Sequence, residues 1–208
     1  MYTVLINLMD SYYSSNSRSQ NQRDSFASIN EVLNRRSDEL GLFDSIISLV
    51  RLQGGYFDGG KWIVDPQLES RRKRYLINML MAESERFKDH DCVYFQIIGH
   101  GGPNGDGKVN IESFEIEYLF NTLLHYTGET RVIINILGTC YGDLMLPVFK
   151  RVCNEHKKQA KLLYNMGRAV DDDTPFLYLI NGFVDKPITE FINGPGYRLY
   201  NEWASYEE

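Results

Sequence analysis

The fold is decided by Cys92-Val93-Tyr94-Phe95-Gln96-Ile97-Ile98, an almost wholly apolar run that stops at Gly99-His100-Gly101-Gly102. A run of this kind is typical of a central parallel strand that is buried on both faces of its sheet. A second run, residues 131–137, has the same character and stops at Gly138-Thr139-Cys140. Amphipathic segments separate the apolar runs, which predicts an α/β fold with a mostly parallel central sheet and helices on both faces.

The remaining elements follow outward from these two strands. Asp65-Pro66 combines an N-cap with a proline at the first helical position, so a helix is expected from there to about Lys88. Further strands are predicted at residues 3–8, 46–52 and 161–166, with a turn or hairpin at residues 54–60 and a loop at residues 99–107. Other helices are predicted at residues 24–36, around residues 116–124, up to about residue 157 and after Thr174-Pro175. We expect residues 1–185 to form one domain and the poorly patterned residues 186–208 to be its C-terminal extension.

Composition narrows the function classes. The 208 residues are 43% hydrophobic with a net charge of -6, which fits a packed globular protein and argues against a nucleic-acid binder. The one basic cluster, residues 71–74, is expected to be a solvated helix surface. No apolar run approaches the ~20 residues of a membrane span, and three cysteines are too few for a disulfide-stapled secreted domain. We therefore expect a soluble, cytoplasmic protein that binds neither nucleic acid nor membrane.

Two chemically reactive residues, His100 and Cys140, follow the two buried strands. Function in parallel sheets lies at the carboxyl ends of the strands, and a thiol becomes a nucleophile when a nearby imidazole takes its proton. The backbone amides of Gly101 and Cys140 could then form an oxyanion hole. Taken separately, such a cysteine is most often a small buried hydrophobe and such a histidine a surface loop residue. Their equivalent positions in one sheet favour a catalytic pair.

These residues carry a resemblance to a family. The order strand, His-Gly, helix, strand, Cys-x-Gly resembles the caspase-like cysteine peptidases, which include caspases, metacaspases and legumains. Ile97-Ile98-Gly99-His100-Gly101-Gly102 looks like their His-Gly box, and Thr139-Cys140-Tyr141-Gly142-Asp143 is similar to the second half of the caspase sequence Q-A-C-R-G-D. The resemblance implies a three-layer caspase-like fold, with Cys140 as nucleophile and His100 as general acid/base.

The substrate pocket departs from the family pattern. Gly138 stands where caspases have Gln, metacaspases Asp and legumains Glu, so specificity does not carry over. Arg18 and Arg23 lie in the polar loop after the first strand, where caspases and legumains place a pocket arginine that would pair with an acidic or amide P1 residue. Asp172, in the turn of residues 171–173, could instead select Arg or Lys, or the turn could bind calcium as in some metacaspases. A turn with three carboxylates is more often a solvated flank of a helix, here the one that Thr174 begins. The loss of a carboxylate at Gly138 favours Asp or Asn at P1.

The function expected from the sequence is a cysteine endopeptidase that cleaves protein or peptide substrates through an acyl-enzyme, without a metal or other cofactor. Two alternatives stay open. The chain could be a catalytically inactive caspase-like module with a binding or regulatory role, or an unrelated α/β protein that binds a small anion at residues 99–107. The oligomeric state is also open, with a homodimer among the candidates.

Overall fold

A computed structural model describes residues 1–9, 38–39, 41–50, 52, 55–58, 61–99, 101–103, 108–137, 144–165 and 199–204. Within these ranges strands and helices alternate along the chain. The strands are β1 (Tyr2–Asn7), β2 (Ser45–Ser48), β3 (Gly55–Asp58), β4 (Lys61–Val64), β5 (Cys92–Ile98), β6 (Gly101–Pro103), β7 (Val109–Ile111), β8 (Phe114–Glu115), β9 (Arg131–Leu137), β10 (Ala160–Asn165) and β11 (Leu199–Ala204). The helices are α1 (Pro66–Lys88), α2 (Ile116–Tyr126) and α3 (Met145–Glu155).

The main sheet has six strands in the order β11-β10-β9-β5-β1-β2. Five neighbouring strands, from β10 to β2, run parallel, and β11 pairs antiparallel with β10 at the edge. The prediction of an α/β fold with a mostly parallel central sheet is therefore confirmed. The apolar strands β5 and β9 are direct neighbours, and Ile98 lies opposite Leu137 at their carboxyl ends.

The hydrophobic core lies between one face of this sheet and the three helices. Alternate residues of the central strands point into it, among them Val4, Phe95 and Ile134, and they share one cluster with Leu80 of α1 and Phe149 of α3. Residues of the opposite face, such as Leu5 and Tyr94, are also buried, but lie outside this cluster. The helices predicted at residues 24–36 and after Thr174 lie outside the described residues.

The first helix is a case in which a local sequence signal predicts both ends of an element. The carboxylate of Asp65 accepts hydrogen bonds from the backbone amides of Gln67 (2.8 Å) and Leu68 (3.2 Å). These are the orphan amides of a helix N-terminus, and Pro66 has none to satisfy. As predicted, α1 ends at Lys88. None of the described helices is both long enough and apolar enough to span a membrane.

The structure differs from the sequence prediction at three strands or strand groups. β2 ends at Ser48 rather than residue 52, because the chain turns there: the Leu49 amide still binds the Asn7 carbonyl (2.8 Å), but the Leu52 amide binds that of Leu49. A three-stranded antiparallel sheet, β6-β7-β8, begins within the loop predicted at residues 99–107. β11 lies in the tail that showed no clear pattern. Strands of two or three residues are too short to show an alternating pattern, and the sequence of β11 mixes polar with apolar residues.

The prediction of a solvated basic cluster at residues 71–74 is wrong for one member. Arg71 and Arg74 are exposed, whereas Arg72 is completely buried. The reason is the position of Arg72 on α1. The buried residues of this helix form one stripe, which consists of Arg72, Leu76, Leu80, Glu83 and Phe87. The spacing of three and four residues places Arg72 on the core-facing side of the helix.

Candidate active site

The carboxyl edge of the main sheet is the region in which the sequence predicts the site. Hydrogen bonding continues past the ends of the strands there, since the amide of Leu8 binds the carbonyl of Ile98 at 2.8 Å. β1, β5 and β9 consequently end side by side, with Asn7 opposite Ile98 and Ile98 opposite Leu137. Segments that leave these three ends start from adjacent positions.

The predicted catalytic residues follow two of these ends. His100 is the second residue after Ile98, and Cys140 is the third residue after Leu137. Both lie outside the described residues, as do Gly138, Arg18, Arg23 and Asp172. The structure thus brings together the strands that lead to His100 and Cys140, while the side chains of the predicted pair and pocket stay predictions.

Gly101 is the one predicted site residue that the structure describes. It begins β6, where it lies opposite Ile111 of β7 in antiparallel pairing. The residue that directly follows His100 is therefore part of a small sheet. β7 in turn pairs with β8, in which Ile111 lies opposite Phe114. The expected contribution of the Gly101 amide to an oxyanion hole stays a prediction.

Gly99, the residue directly before His100, has no room for a side chain. A Cβ atom built on it would lie 2.7 Å from Cγ2 of Ile111 and 3.4 Å from Cβ of Leu8. A distance of 2.7 Å is far inside van der Waals contact, so any larger residue here would force Gly99 and Ile111 of β7 apart. Both described neighbours of His100 are thus packed against Ile111, Gly99 by its close approach and Gly101 by strand pairing.

Arg72 is a residue of this edge that sequence reasoning missed. Its Nη1 donates to the carbonyl oxygens of Leu49 (3.2 Å) and Leu52, and its Nη2 donates to the carbonyl oxygen of Leu8. These carbonyls lie just beyond the ends of β2 and β1. The guanidinium also lies over the ring of Phe114, with Cζ 5.7 Å from the ring centroid. The signal that would have found it is its place in the buried stripe of α1.

A buried polar network connects β5 and β9 on the side of the sheet away from the helix core. The side-chain amide of Asn135 donates to the hydroxyl of Tyr94 (2.7 Å), which donates to Oε1 of Gln96 (2.9 Å). Nε2 of Gln96 donates to the Asn135 carbonyl at 3.3 Å. Burial raises the pKa of Tyr94, so its hydroxyl keeps the proton that it donates. These bonds tie together the two strands that lead to His100 and Cys140.

The two cysteines that the structure describes have the environment of structural thiols. Cys92 is half-buried in β5, and Cys153 is fully buried in α3. Burial raises the pKa of both thiols, that of Cys153 to about 12, so neither is a thiolate at neutral pH. His156, one helical turn after Cys153, has its Nε2 2.9 Å from Oδ1 of Asn121. In the part of the chain that the structure describes, no group of three or more metal-ligating side chains comes together.

Comparison with known proteins gives no relatives. No protein-family model matches the chain, and no curated protein or solved structure is significantly similar to it.

Proposed function

We propose that this protein is a cysteine endopeptidase of the caspase-like type, with Cys140 as nucleophile and His100 as general acid/base. The observation that carries the proposal is the in-register parallel pairing of β5 with β9, which ends at Ile98 and Leu137. Because neighbouring strands of a parallel sheet are about 4.8 Å apart, two residues that follow these ends closely can meet above the edge. The five parallel strands are compatible with the mostly parallel sheet expected of the family.

The proposed reaction is acyl transfer. His100 takes the proton of the Cys140 thiol, and the thiolate attacks the scissile carbonyl to give a tetrahedral intermediate. The backbone amides of Gly101 and Cys140 stabilise its oxyanion, and His100 gives the proton to the leaving amine as the C–N bond breaks. Water, deprotonated by His100, then hydrolyses the thioester and releases the second product. The substrate lies extended along the carboxyl edge of the sheet.

We further propose an acidic or amide P1 residue, Asp or Asn, bound by Arg18 or Arg23. Both arginines follow β1, whose carboxyl end lies next to that of β5. Gly138 supplies no carboxylate beside the nucleophile, which disfavours a basic P1 residue. Asp172 is the alternative pocket wall, and cleavage after Arg or Lys would assign the pocket to it.

Cleavage of a diverse peptide library by the purified chain tests the proposal, because it reports activity and P1 preference together. We expect cleavage by the wild type and none by Cys140→Ala. Cys92→Ala is the matched control and should keep full activity, since burial keeps Cys92 protonated. Full activity in Cys140→Ala would overturn the assignment of the nucleophile.

Alkylation separates the enzyme from the open alternatives. With iodoacetamide at neutral pH, Cys140 should react faster than Cys92 and Cys153, and His100→Ala should slow its reaction. A wild-type protein that cleaves no peptide and shows no preferential labelling of Cys140 would favour the inactive binding module or an anion-binding protein. If the protein binds inorganic phosphate and peptides do not compete for that binding, the anion-binding protein is the favoured alternative.

A further inference from the structure

We propose that Arg72 is a positioning residue for His100, because two chains of contacts lead from its guanidinium to the described residues on either side of that position. The catalytic meaning of this inference rests on the proposed function, but the positional claim does not. No contact between Arg72 and the imidazole is part of the claim. The evidence is a set of contacts among described residues that lead from the guanidinium to Gly99 and to Gly101.

The first route reaches the residues before His100. Arg72 donates to the carbonyl oxygen of Leu8, and the amide of the same residue donates to the carbonyl of Ile98 at 2.8 Å. Leu8 also packs against Gly99, because the Cβ atom of Leu8 lies 3.4 Å from the position that a Cβ atom on Gly99 would occupy. Leu8 therefore connects Arg72 to the end of β5 and to Gly99, the two residues that directly precede His100.

The second route reaches the residues after His100. The guanidinium lies over the ring of Phe114, which is fully buried in β8. Phe114 lies opposite Ile111, and Ile111 lies opposite Gly101. The small sheet that carries Gly101 thus rests against the same guanidinium that binds the end of β1. Residue 100 is the single position between the two segments.

The chemistry of arginine suits this role. A guanidinium presents several donors in a fixed plane, stays charged at every accessible pH and stacks on aromatic rings. A lysine at this position would keep the charge, but its single nitrogen cannot reproduce the divergent bonds to Leu8, Leu49 and Leu52 together with the contact to Phe114. Arg72→Lys should consequently loosen the geometry while keeping the charge.

The decisive experiment is a histidine titration by NMR on the full chain, which needs no catalytic activity. The chain has four histidines, His90, His100, His125 and His156, and substitution of each by Gln assigns their resonances. Arg72→Lys should shift the resonance and the titration midpoint of His100 and leave those of His125 and His156 unchanged. Arg74→Lys, an exposed neighbour on the same helix, is the matched control and should change none of them.

If the wild type cleaves peptides, kinetics provide a second measurement. A misplacement of about 1 Å lowers the rate by roughly 100-fold, so we expect Arg72→Lys to lower kcat/KM by about that factor and to move the acid limb of its pH profile. A loss of folded protein alone would lower kcat/KM by the same factor at every pH and would not move the acid limb of the profile. A folded Arg72→Lys protein with unchanged His100 titration and kcat/KM would overturn the inference.

A second variant and a wild-type measurement cover the case in which Arg72→Lys does not fold. Phe114→Leu keeps Arg72 but removes the ring beneath it, and should move the same His100 resonance by a smaller amount. In the wild type, hydrogen exchange of the Leu8 amide should be as slow as that of β5 amides, and fast exchange would contradict the first route. Failure of the proposed peptidase activity leaves these results unaffected, so the two proposals fail independently.

Discussion

The main sheet has a buried cation at each end, and the two cations differ in what they hold. At the carboxyl end, the guanidinium of Arg72 binds the carbonyl oxygens that follow two strands. At the amino end, Lys158 precedes β10 and binds the last turn of α2. Its acceptors are the carbonyls of Leu124 (3.3 Å) and Gly128 (2.7 Å) and the hydroxyl of Thr127. A cation there also interacts favourably with the helix dipole.

The two cations also differ in how they respond to pH. Arginine stays protonated in proteins, so the carboxyl end keeps its charge. Burial lowers the pKa of Lys158 from 10.5 to about 8, with Glu129 and Cys153 opposing the shift. The amino end therefore loses its charge under mildly alkaline conditions, whereas the carboxyl end does not. A site built at the carboxyl end is held by a contact that no physiological pH can weaken.

The largest expected effect follows from removing the cation at the carboxyl end. Arg72→Met keeps an apolar stem in the stripe of α1 but leaves the carbonyls of Leu8, Leu49 and Leu52 without its donors. Buried acceptors that lose a charged donor are costly, and we expect the free energy of unfolding to fall by about 3 kcal/mol. Urea unfolding at pH 7 measures this as a lower midpoint with an unchanged slope.

Arg74→Met is the control for this prediction, because Arg74 is an exposed neighbour on the same helix. Surface substitutions usually change stability by less than about 0.5 kcal/mol. Equal midpoints for the Arg72 and Arg74 variants would show that the buried contacts contribute nothing beyond helix propensity. The contrast between the two ends of the sheet would then disappear.

The next largest effect concerns Gly99. Gly99→Ala places a methyl group 2.7 Å from Cγ2 of Ile111, which is a buried side chain. Overpacking of this kind costs typically about 2 kcal/mol, so we expect a fall of that size in the free energy of unfolding. A double-mutant cycle with Ile111→Ala checks the cause, because Gly99→Ala should cost less where Cγ2 is absent. Additive effects would assign the cost to the other two neighbours of the methyl group, Cγ of Glu112 (3.1 Å) and Cβ of Leu8 (3.4 Å).

The predictable parts of the fold depend on local signals. Continuous apolar runs locate β5 and β9, and an N-cap followed by proline locates α1 to its first residue. The pattern predicts that β5 and β9 belong to one parallel sheet, and the structure shows that they are direct neighbours although 32 residues (99–130) separate them in sequence. By contrast, β6, β7 and β8 are stabilised by contacts with one another and with Gly99, which no short stretch of sequence reveals.

The candidate site shows the same division. Sequence reasoning identifies His100 and Cys140 by residue type and by their place after apolar strands. It treats Arg71, Arg72 and Arg74 alike, because their local composition is the same. Only the helical stripe that contains Leu76 and Leu80 distinguishes Arg72 from its neighbours. The contacts of Arg72 then depend on where β1 and β2 end, which is set by tertiary structure.

A smaller effect tests the pH response of the amino end. The folded protein releases the proton of Lys158 near pH 8, whereas the unfolded chain keeps it until about pH 10.5. The unfolded state therefore binds more protons in this window, so the contribution of Lys158 to stability increases as pH rises. Linkage gives an increase of about 1 kcal/mol between pH 8 and 9. Urea midpoints across this range for the wild type and Lys158→Met measure the difference.

Other groups act in the opposite direction at higher pH, so the comparison with the variant is required. Burial raises the pKa of Cys153, and burial together with Glu83 raises that of Tyr2, so both lower the stability as pH increases above their usual ranges. The contribution of Tyr2 cancels when the variant is subtracted from the wild type, whereas that of Cys153 cancels only in part, because the charge of Lys158 lowers the pKa of that thiol. Lys158→Arg, which cannot titrate, should lack the same increase. A parallel pH dependence in wild type and Lys158→Met would contradict the assignment to Lys158.

The smallest effect is expected from an exposed cation that makes an equally well-formed pair. Arg151 of α3 binds Glu117 of α2 with two bonds of 2.8 and 2.7 Å, but both side chains are substantially exposed, at 50% and 36%. The hydrogen bonds from Arg151 lower the pKa of Glu117, so the pair contributes above the usual range of that carboxyl and its contribution is lost as pH falls through the lowered value. Water screens such pairs.

A double-mutant cycle of Arg151→Met with Glu117→Gln measures the coupling free energy of this pair. We expect it to be smaller than the effects predicted for Arg72→Met, Gly99→Ala and the titration of Lys158. Salt at about 1 M, where the Debye length is about 3 Å, should remove it, while the cost of Arg72→Met should persist because no ions reach that contact. A coupling that survives high salt would mean that geometry rather than burial distinguishes the three cations.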